Sequence, residues 1–159
     1  MRLSNASQGG YGADDDDDDD DKDDAMLEEP LSILITDDIR MNRIMLKRRL
    51  QKCIAPNCII QEAATGEEAL QLCASGESFD IIIMDQYMEE AGGLLLGTDA
   101  IIAMRRTKLQ SLIIGGSGND LDHLFRSAGA DIIWKKPIPS NVEIIHQLRQ
   151  NLAQRPRNV

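Results

Sequence analysis

Charged side chains stand where short apolar runs of this chain end. The most apolar run, Ile81 to Met84, is rich in β-branched residues and stops at the carboxylate of Asp85. Such a run is typical of a strand buried on both faces, as in a parallel sheet. Open α/β sheets place their ligand crevices at the carboxyl ends of their strands. Asp85 is therefore a candidate functional residue, although an Asp at this place can also simply cap the next helix.

Four more polar residues stand at or just beyond the ends of comparable runs, namely Asp37, Asp38, Ser117 and Lys136. If their strands are parallel neighbours, these side chains converge with Asp85 on one crevice. Two like charges about 4 Å apart repel by roughly 4 kcal/mol at an effective dielectric near 20. Three carboxylates therefore need cations. Lys136 supplies one, and Mg²⁺, which prefers oxygen ligands, suits the rest. Such a pocket is equipped for phosphoryl transfer onto a carboxylate.

Strand-like runs alternate with helical patterns five times from Pro30 onward. The predicted strands are Leu31–Thr36, Cys58–Ala63, Ile81–Asp85, Ser111–Ile114 and Asp131–Trp134. Residues 115–119, rich in glycine, are predicted to form a flexible loop, and 86–97 an irregular stretch. Five such units predict an α/β fold of the flavodoxin-like (βα)5 type, a doubly wound parallel sheet with strand order 2-1-3-4-5.

The helices between these strands show apolar faces and end signals. Capping boxes open the second and fifth helices at Thr65 and Ser140, and Gly129 ends the fourth. The expected apolar rows are Met41/Met45 and Leu46/Leu50 in the first helix, Ala69, Leu70 and Cys73 in the second, Leu121, Leu124, Phe125 and Ala128 in the fourth, and Ile145, Leu148 and Leu152 in the fifth. Lys47, Arg48 and Arg49 are expected outside.

The charge of the chain is concentrated near its N-terminus. The 159 residues carry a net charge of −10, of which residues 1–24 account for −8. We predict a disordered acidic tail over 1–29, one domain over 30–153 and a short C-terminal tail over 154–159. The uninterrupted run Asp14–Asp21 fits either a solvating tail or an electrostatic handle for a basic partner or divalent cations. No basic stripe suggests direct contact with nucleic acid.

Cysteine usage and hydropathy indicate the compartment. Cys53, Cys58 and Cys73 have no metal-ligand spacing and cannot all pair, which favours a reduced intracellular protein. No signal peptide or membrane-spanning run is evident. We therefore expect a cytoplasmic protein without membrane contact, with the nucleus as the other compartment consistent with these features.

The order of the motifs resembles a response-regulator receiver domain (CheY-like) of two-component and phosphorelay signalling, over about residues 31–153. The spacing of Asp38, Asn42, Arg43 and Leu46 is particularly similar to receivers of hybrid histidine kinases. The matching motifs are Thr36-Asp37-Asp38, Ala64-Thr65-Gly66-Glu67-Glu68-Ala69-Leu70, Met84-Asp85 with Met88, Ser117, and Gly129-Ala130-Asp131 leading to Lys136-Pro137.

The resemblance implies a role for each matching position. Asp85 resembles the phosphoacceptor. Asp37 and Asp38, with Asp85 and the backbone carbonyl of Tyr87, would hold Mg²⁺. Ser117 and Lys136 would contact the phosphoryl group, and the bond between Lys136 and Pro137 is expected to be cis.

The resemblance also implies partners. A histidine kinase or histidine phosphotransfer protein would donate the phosphoryl group, and a downstream protein would dock on the fourth helix, fifth strand and fifth helix. The chain would be a signalling phosphoacceptor that assists its own phosphorylation and dephosphorylation, not an enzyme.

Some positions depart from the family pattern. Glu89 replaces the usual proline, the stretch from Met88 to Gly97 is about four residues longer than usual, and Ser117 to Gly129 is about three shorter. The aromatic switch residue is replaced by Ile133, and alternation places Trp134 on the opposite face.

Two other functions compete with the phosphoacceptor. One is a phosphorylation-independent interaction module on the same fold, favoured by Ile133. The other is an aspartyl-phosphate phosphatase, disfavoured because Tyr87 occupies the position of its second Asp.

Overall fold

The computed structural model describes residues 30–54, 56–118 and 120–155, so the acidic tail predicted over 1–29 lies outside the described residues. Strands and helices alternate along this part of the chain. In order, they are β1 (Ser32–Thr36), α1 (Arg40–Cys53), β2 (Ile59–Ala63), α2 (Gly66–Ala74), β3 (Ile81–Asp85), a 3₁₀ helix (Glu89–Ala91), α3 (Gly97–Arg106), β4 (Leu112–Ser117), α4 (Asp122–Ala128), β5 (Ile132–Lys135) and α5 (Asn141–Ala153).

The five strands form one parallel sheet in the order β2-β1-β3-β4-β5, which confirms the predicted fold class and strand order. The register aligns the strand ends at one edge. Asp85 pairs with Gly116, and Ser117 pairs with Lys135. Because all strands run the same way, the residues that follow β1, β3, β4 and β5 meet at this carboxyl edge.

Two apolar clusters cover the two faces of the sheet. On one face α1 and α5 pack against the sheet through side chains such as Leu50 and Leu148, both fully buried. On the other face α2, α3 and α4 contribute residues such as Ile101 and Phe125. Complete burial of one such side chain is worth about 1.5–3 kcal/mol. The strands are apolar on both faces because both faces are covered, as the run through β3 indicated.

β4 is longer than the sequence predicted. The expected flexible loop at 115–119 was wrong for its first three residues, because Gly115, Gly116 and Ser117 complete the strand. Their glycines serve packing instead of loop flexibility. A Cβ on Gly115 would lie 2.3 Å from Cδ1 of Phe125, so only glycine lets α4 approach the sheet this closely.

The connection after β3 is also more ordered than predicted. Residues 86–97 were expected to be irregular, but they contain the 3₁₀ helix, and α3 begins at Gly97. A Cβ on Gly97 would lie 1.9 Å from the backbone oxygen of Asp85. This close approach places the start of α3 directly against the end of β3.

The apolar rows of the helices were predicted only in part. In α1 the row Leu46/Leu50 packs on the sheet, but Met41 and Met45 are 60% and 62% exposed, so the expectation for that row was wrong. α5 buries Ile144 fully, and it only partly buries Ile145 and Leu152. Leu124 of α4 is 43% exposed. Helical spacing defines a stripe, but the neighbouring layer decides how wide its buried part is.

The predicted helix-end signals are present. The hydroxyl of Thr65 accepts from the backbone N–H of Glu68, and that of Ser140 accepts from Glu143. Gly129 ends α4 with a φ of 112°, which favours glycine. No helix within the described ranges is long and apolar enough to cross a membrane.

Candidate functional site

Three carboxylates meet at the carboxyl edge of the sheet. Asp37 and Asp38 follow β1, Asp85 ends β3, and one oxygen from each lies within 4.8 Å of the other two. Asp37 is buried, whereas Asp38 and Asp85 are half-buried. The structure thus brings together three of the residues that sequence reasoning selected.

Lys136 is the cation of this cluster. Its ammonium Nζ donates to Oδ1 of Asp85 at 2.8 Å and lies 3.4 Å from Oδ2 of Asp37. Burial lowers the pKa of Lys136, but Asp85 and Asp37 together outweigh it, so the pKa lies above its ordinary value. The neighbouring Lys135 points elsewhere, with its Nζ 3.7 Å from both Asp120 and Asp122.

Asp85 is held in an unfavourable environment for a charged carboxylate. Burial raises its pKa above the ordinary value, and the nearby charge of Asp37 adds to this. The hydrogen bond and charge of Lys136 act in the opposite direction without cancelling them. One lysine is therefore too little positive charge for this site.

The donor set fits a hard divalent cation. Three carboxylates face one ammonium, so the described cluster has an excess of two negative charges. Carboxylate oxygen is the ligand that Mg²⁺ prefers, and Mg²⁺ commonly uses one or two carboxylates together with water and a phosphoryl group. Asp37, Asp38 and Asp85 are the residues that would hold it.

The other predicted site residues lie around these charges. Ser117 ends β4 with 2% exposure, and its carbonyl accepts the backbone N–H of Lys136 at 2.9 Å. Tyr87 is the second residue after β3 and is exposed, and its role as a metal ligand stays a prediction. The peptide bond between Lys136 and Pro137 is cis, as predicted.

Two side chains of α1 fix Asp37, a function that the sequence analysis did not assign. The amide of Asn42 donates to both carboxylate oxygens of Asp37 at 3.2 and 3.1 Å. Arg43 donates to the Asp37 carbonyl at 2.6 Å and to Glu62 at 3.1 Å. Asn42 and Arg43 follow Asp37-Asp38 by about one helical turn, and this spacing could have indicated the contacts from the sequence. These contacts hold the first carboxylate in place before any cation binds.

Carboxylates also hold the long connection between β3 and α3. Oδ2 of Asp38 accepts the backbone N–H of Glu90 at 3.0 Å. Oε1 of Glu67 accepts from Leu94 and Leu95 at 2.8 and 2.9 Å. The backbone N–H of Glu67 itself, followed by these two donors, lowers the pKa of the Glu67 carboxyl. The four-residue extension noted in the sequence is therefore anchored at two points beside the site.

A buried amide holds the end of the same connection. The side chain of Gln86 donates to the Thr98 hydroxyl and accepts from the Thr98 backbone N–H, at 3.2 and 3.0 Å. Both residues are buried. The pair fixes the residue after Asp85 to the first turn of α3 and so limits how far Asp85 can move.

The residues at the altered switch position face opposite sides of the sheet. Ile133 packs with the cluster beneath α2, α3 and α4, whereas Trp134 belongs to the cluster beneath α1 and α5. The indole of Trp134 donates to Gln147 at 2.8 Å. The alternation predicted from the sequence is confirmed, so Trp134 does not replace the missing aromatic residue.

A cavity of about 380 Å³ extends from the carboxylates along α1. Asp37, Asp85 and Lys136 line it together with mainly apolar side chains such as Leu46, Trp134 and Ile138. The site therefore opens toward α1 and the segment that follows β5.

The parallel five-stranded fold with this acidic edge defines a class of signalling domain. Residues 33–149 match the response regulator receiver domain family. The chain therefore belongs to that family. Receiver domains generally bind Mg²⁺ through acidic residues and interact with histidine kinases or phosphotransfer proteins.

Particular relatives agree with this assignment. Two-component response regulator ORR42 of Oryza sativa subsp. japonica is 30% identical over 122 residues, which cover 76% of this chain and 85% of that protein. Two-component response regulator ARR22 of Arabidopsis thaliana is 34% identical over 113 residues, covering 68% and 75%.

Solved structures show the same fold. A CheY-like receiver domain protein from Methanospirillum hungatei JF-1 superposes with a TM-score of 0.67 at 20% identity, over 79% of this chain and 96% of that one. The chemotaxis response regulator CheY4 of Vibrio cholerae gives 0.62 at 24% identity, over 78% and 99%.

Proposed function

We propose that this chain accepts a phosphoryl group on Asp85 in a Mg²⁺-dependent His-to-Asp phosphorelay. The observation that carries the proposal is the meeting of three carboxylate oxygens within 4.8 Å, with Lys136 bound to Asp85. This arrangement costs stability in the absence of a cation. Its geometry suits a reaction in which a cation and a dianionic phosphoryl group enter together.

In the proposed reaction an ionised Asp85 oxygen attacks the phosphorus of a phosphohistidine. The new bond joins that oxygen to phosphorus, and the bond from phosphorus to the imidazole nitrogen breaks with its electron pair leaving on nitrogen. Bound Mg²⁺ would offset negative charge on the phosphoryl oxygens. Lys136, which is bound to Asp85, would neutralise the same charge, and Ser117 at the end of β4 would contact the phosphoryl group.

The chain would turn over no separate substrate. Residues of the chain would instead assist the phosphorylation and dephosphorylation of its own Asp85. The donor would be a histidine kinase or a histidine phosphotransfer protein. A receiver of the hybrid-kinase type remains the sub-class that the spacing from Asp38 to Leu46 predicts.

The output surface would be formed by α4, β5 and α5. Exposed apolar side chains on two of these elements support it, namely Leu124 at 43% and Val142 at 72% exposure. With Ile133 at the switch position, coupling from Ser117 to this surface would use movement of β4 and α4 instead of an aromatic rotamer.

Intact mass with and without a small phosphodonor tests the phosphoacceptor directly. Wild-type protein incubated with Mg²⁺ and acetyl phosphate should gain one phosphoryl group that mild base removes. Asp85→Asn should gain none, because the amide is not a nucleophile. Asp80→Asn is the matched control, since Asp80 instead accepts the Ser32 backbone N–H at 2.8 Å. Equal labelling of the Asp85 variant would refute the assignment.

One observation favours a second function, a phosphorylation-independent interaction module. The switch position holds Ile133, which packs against the cluster beneath α2, α3 and α4. That function predicts one partner affinity for both forms of the protein, whereas the phosphoacceptor predicts a difference. Binding of a partner to the wild type before and after acetyl phosphate treatment separates the two.

A further inference from the structure

α1 carries the densest positive charge of the domain. Residues 30–159 contain fifteen Lys or Arg and fifteen Asp or Glu, so this part of the chain is neutral as a whole. Six of the fifteen basic residues lie in α1, and no acidic residue occurs between 39 and 61. The helix is therefore a local positive excess on an otherwise balanced surface.

Three of the six basic side chains of α1 have partners within the domain. Arg43 and Lys47 pair with Glu62, and Arg49 donates to Asn141. Arg48 and Lys52, by contrast, are exposed, and within the described ranges no hydrogen bond or ion pair engages their side chains. The outward side of α1 thus presents positive charge that the folded domain does not neutralise.

The free charges continue a stripe of exposed methionines. Met41, Met45, Arg48 and Lys52 are spaced at i, i+4, i+7 and i+11, which places them along one side of the helix. Both methionines are about three-fifths exposed, and Met45 also lines the cavity that reaches Asp85. We call these four residues the α1 stripe. Its apolar end lies beside the site, and its basic end lies at the amino edge of the sheet.

We propose that the acidic run Asp14–Asp21 of the same chain docks on the α1 stripe. Eight adjacent carboxylates match a surface with unpaired positive charge. Each exposed ion pair is weak, so recognition would come from the pairs at Arg48 and Lys52 acting together at the high effective concentration that one chain provides. No other run of the sequence has this density of negative charge.

The length of the connecting chain allows this docking. Asp21 precedes Pro30 by nine residues, which span at most about 30 Å when extended. α1 has 14 residues and is therefore about 21 Å long. β1 starts, and α1 ends, at the amino edge of the sheet, so the acidic run reaches the basic end of the stripe first. Its remaining residues then have enough length to approach Met45 and Met41.

A partner with a basic surface that removes the acidic run would expose the stripe. The run would then act as a competitor within the chain for whatever binds α1.

Zero-length cross-linking of the full chain tests the docking. A carbodiimide joins carboxylates to lysine amines that touch them, so Lys52 should link to residues 14–21 in low salt. Lys108, exposed after α3 at the same sheet edge, is the internal control and should link far less. About 1 M salt shortens the Debye length to roughly 3 Å and should abolish the Lys52 links. Equal links at both lysines would overturn the proposal.

A pair of matched variants separates specific docking from general attraction. Arg48→Glu should strongly reduce the links at Lys52, while Arg106→Glu, at an exposed site on α3, should leave them unchanged. Mixing ¹⁵N-labelled and unlabelled chains identifies whether links form within one molecule. Links mainly between molecules would contradict docking in cis, as would an unchanged yield in Arg48→Glu.

Methionine methyl NMR provides a second readout in the intact chain. Changing all of Asp14–Asp21 to Asn should shift the Met41 and Met45 methyl signals, while the buried Met84 stays in place. Unmoved signals for both exposed methionines would overturn the contact with the apolar end. None of these measurements uses a phosphodonor, so their failure would leave the phosphoacceptor proposal intact, and failure of phosphorylation would leave the docking intact.

Discussion

The two edges of the sheet each carry an ionic cluster, and the clusters differ in how far their charged groups find partners within the protein. At the amino edge Arg105 donates to the carbonyls of Gly129, Leu109 and Ser111 and to the carboxylate of Asp131, at 2.8–3.0 Å. At the carboxyl edge, three carboxylates share one ammonium. The first cluster is complete within the protein, whereas the second lacks positive charge.

The carboxylate of Asp131 has three partners within the protein at the amino edge. Its carboxylate accepts from Arg105 and from the Ile113 backbone N–H, both at 2.8 Å, and it pairs with Arg155 at 2.6 Å. The pKa of Arg105 lies below its ordinary value, because burial and the nearby charge of Arg155 outweigh the carboxylate of Asp131. The comparison shows that ionic groups stabilise a fold when their partners are built in, and mark a site when a partner must come from outside.

The largest predicted effect breaks the complete cluster. Arg105→Met removes the donors of three carbonyls and one carboxylate, so we expect a loss of about 3 kcal/mol in the free energy of unfolding. Urea denaturation followed by circular dichroism measures it. Arg106→Met, exposed on the same helix, should change stability by less than about 0.5 kcal/mol. Equal effects of the two substitutions would show that the cluster adds no stability.

An intermediate effect is expected when the missing cation is supplied to the other edge. Mg²⁺ that binds only the folded state should stabilise it by about 1.4 kcal/mol at ten times its dissociation constant. Asp38→Asn should lose most of this gain, measured as the Mg²⁺-dependent rise in Tm. Asp99→Asn, an exposed carboxylate on α3, is the control and should keep it.

The smallest effect concerns Asp85 without Mg²⁺. Because the native pKa of Asp85 is raised, the folded state binds its proton more tightly than the unfolded state does. Stability therefore falls as pH rises from the unfolded pKa through the raised native pKa, and the cost is fully present above it. Asp85→Asn removes this cost, so its stability relative to the wild type should increase with pH across that window.

Thermal unfolding of both proteins over a pH series checks this prediction. A constant difference between wild type and Asp85→Asn at all pH values would show that the carboxylate is not strained. Saturating Mg²⁺ should reduce the difference at neutral pH, since the cation offsets the same charge. Together the three tests distinguish an edge completed by the protein from one that requires a ligand.

The sequence by itself determined the layers and the order of the strands. β-branched runs such as Ile81–Met84 alternate with helical spacings five times, and right-handed crossovers leave few ways to arrange them. It also indicated which polar residues share one edge, because parallel strands end together. Asp37, Asp38, Asp85 and Lys136 could be selected from the sequence in this way.

Only the tertiary structure decided how neighbouring layers use each residue. The glycines of β4 were predicted to form a loop, but Gly115 lies in a strand and packs against Phe125. Met41 was predicted to be buried, but its side of α1 faces solvent. The reason is physical: sequence periodicity records which residues share a face, but burial depends on what packs against that face. The same limit hid the contacts of Asn42 with Asp37, since a hydrogen bond between segments depends on a distance that spacing alone does not define.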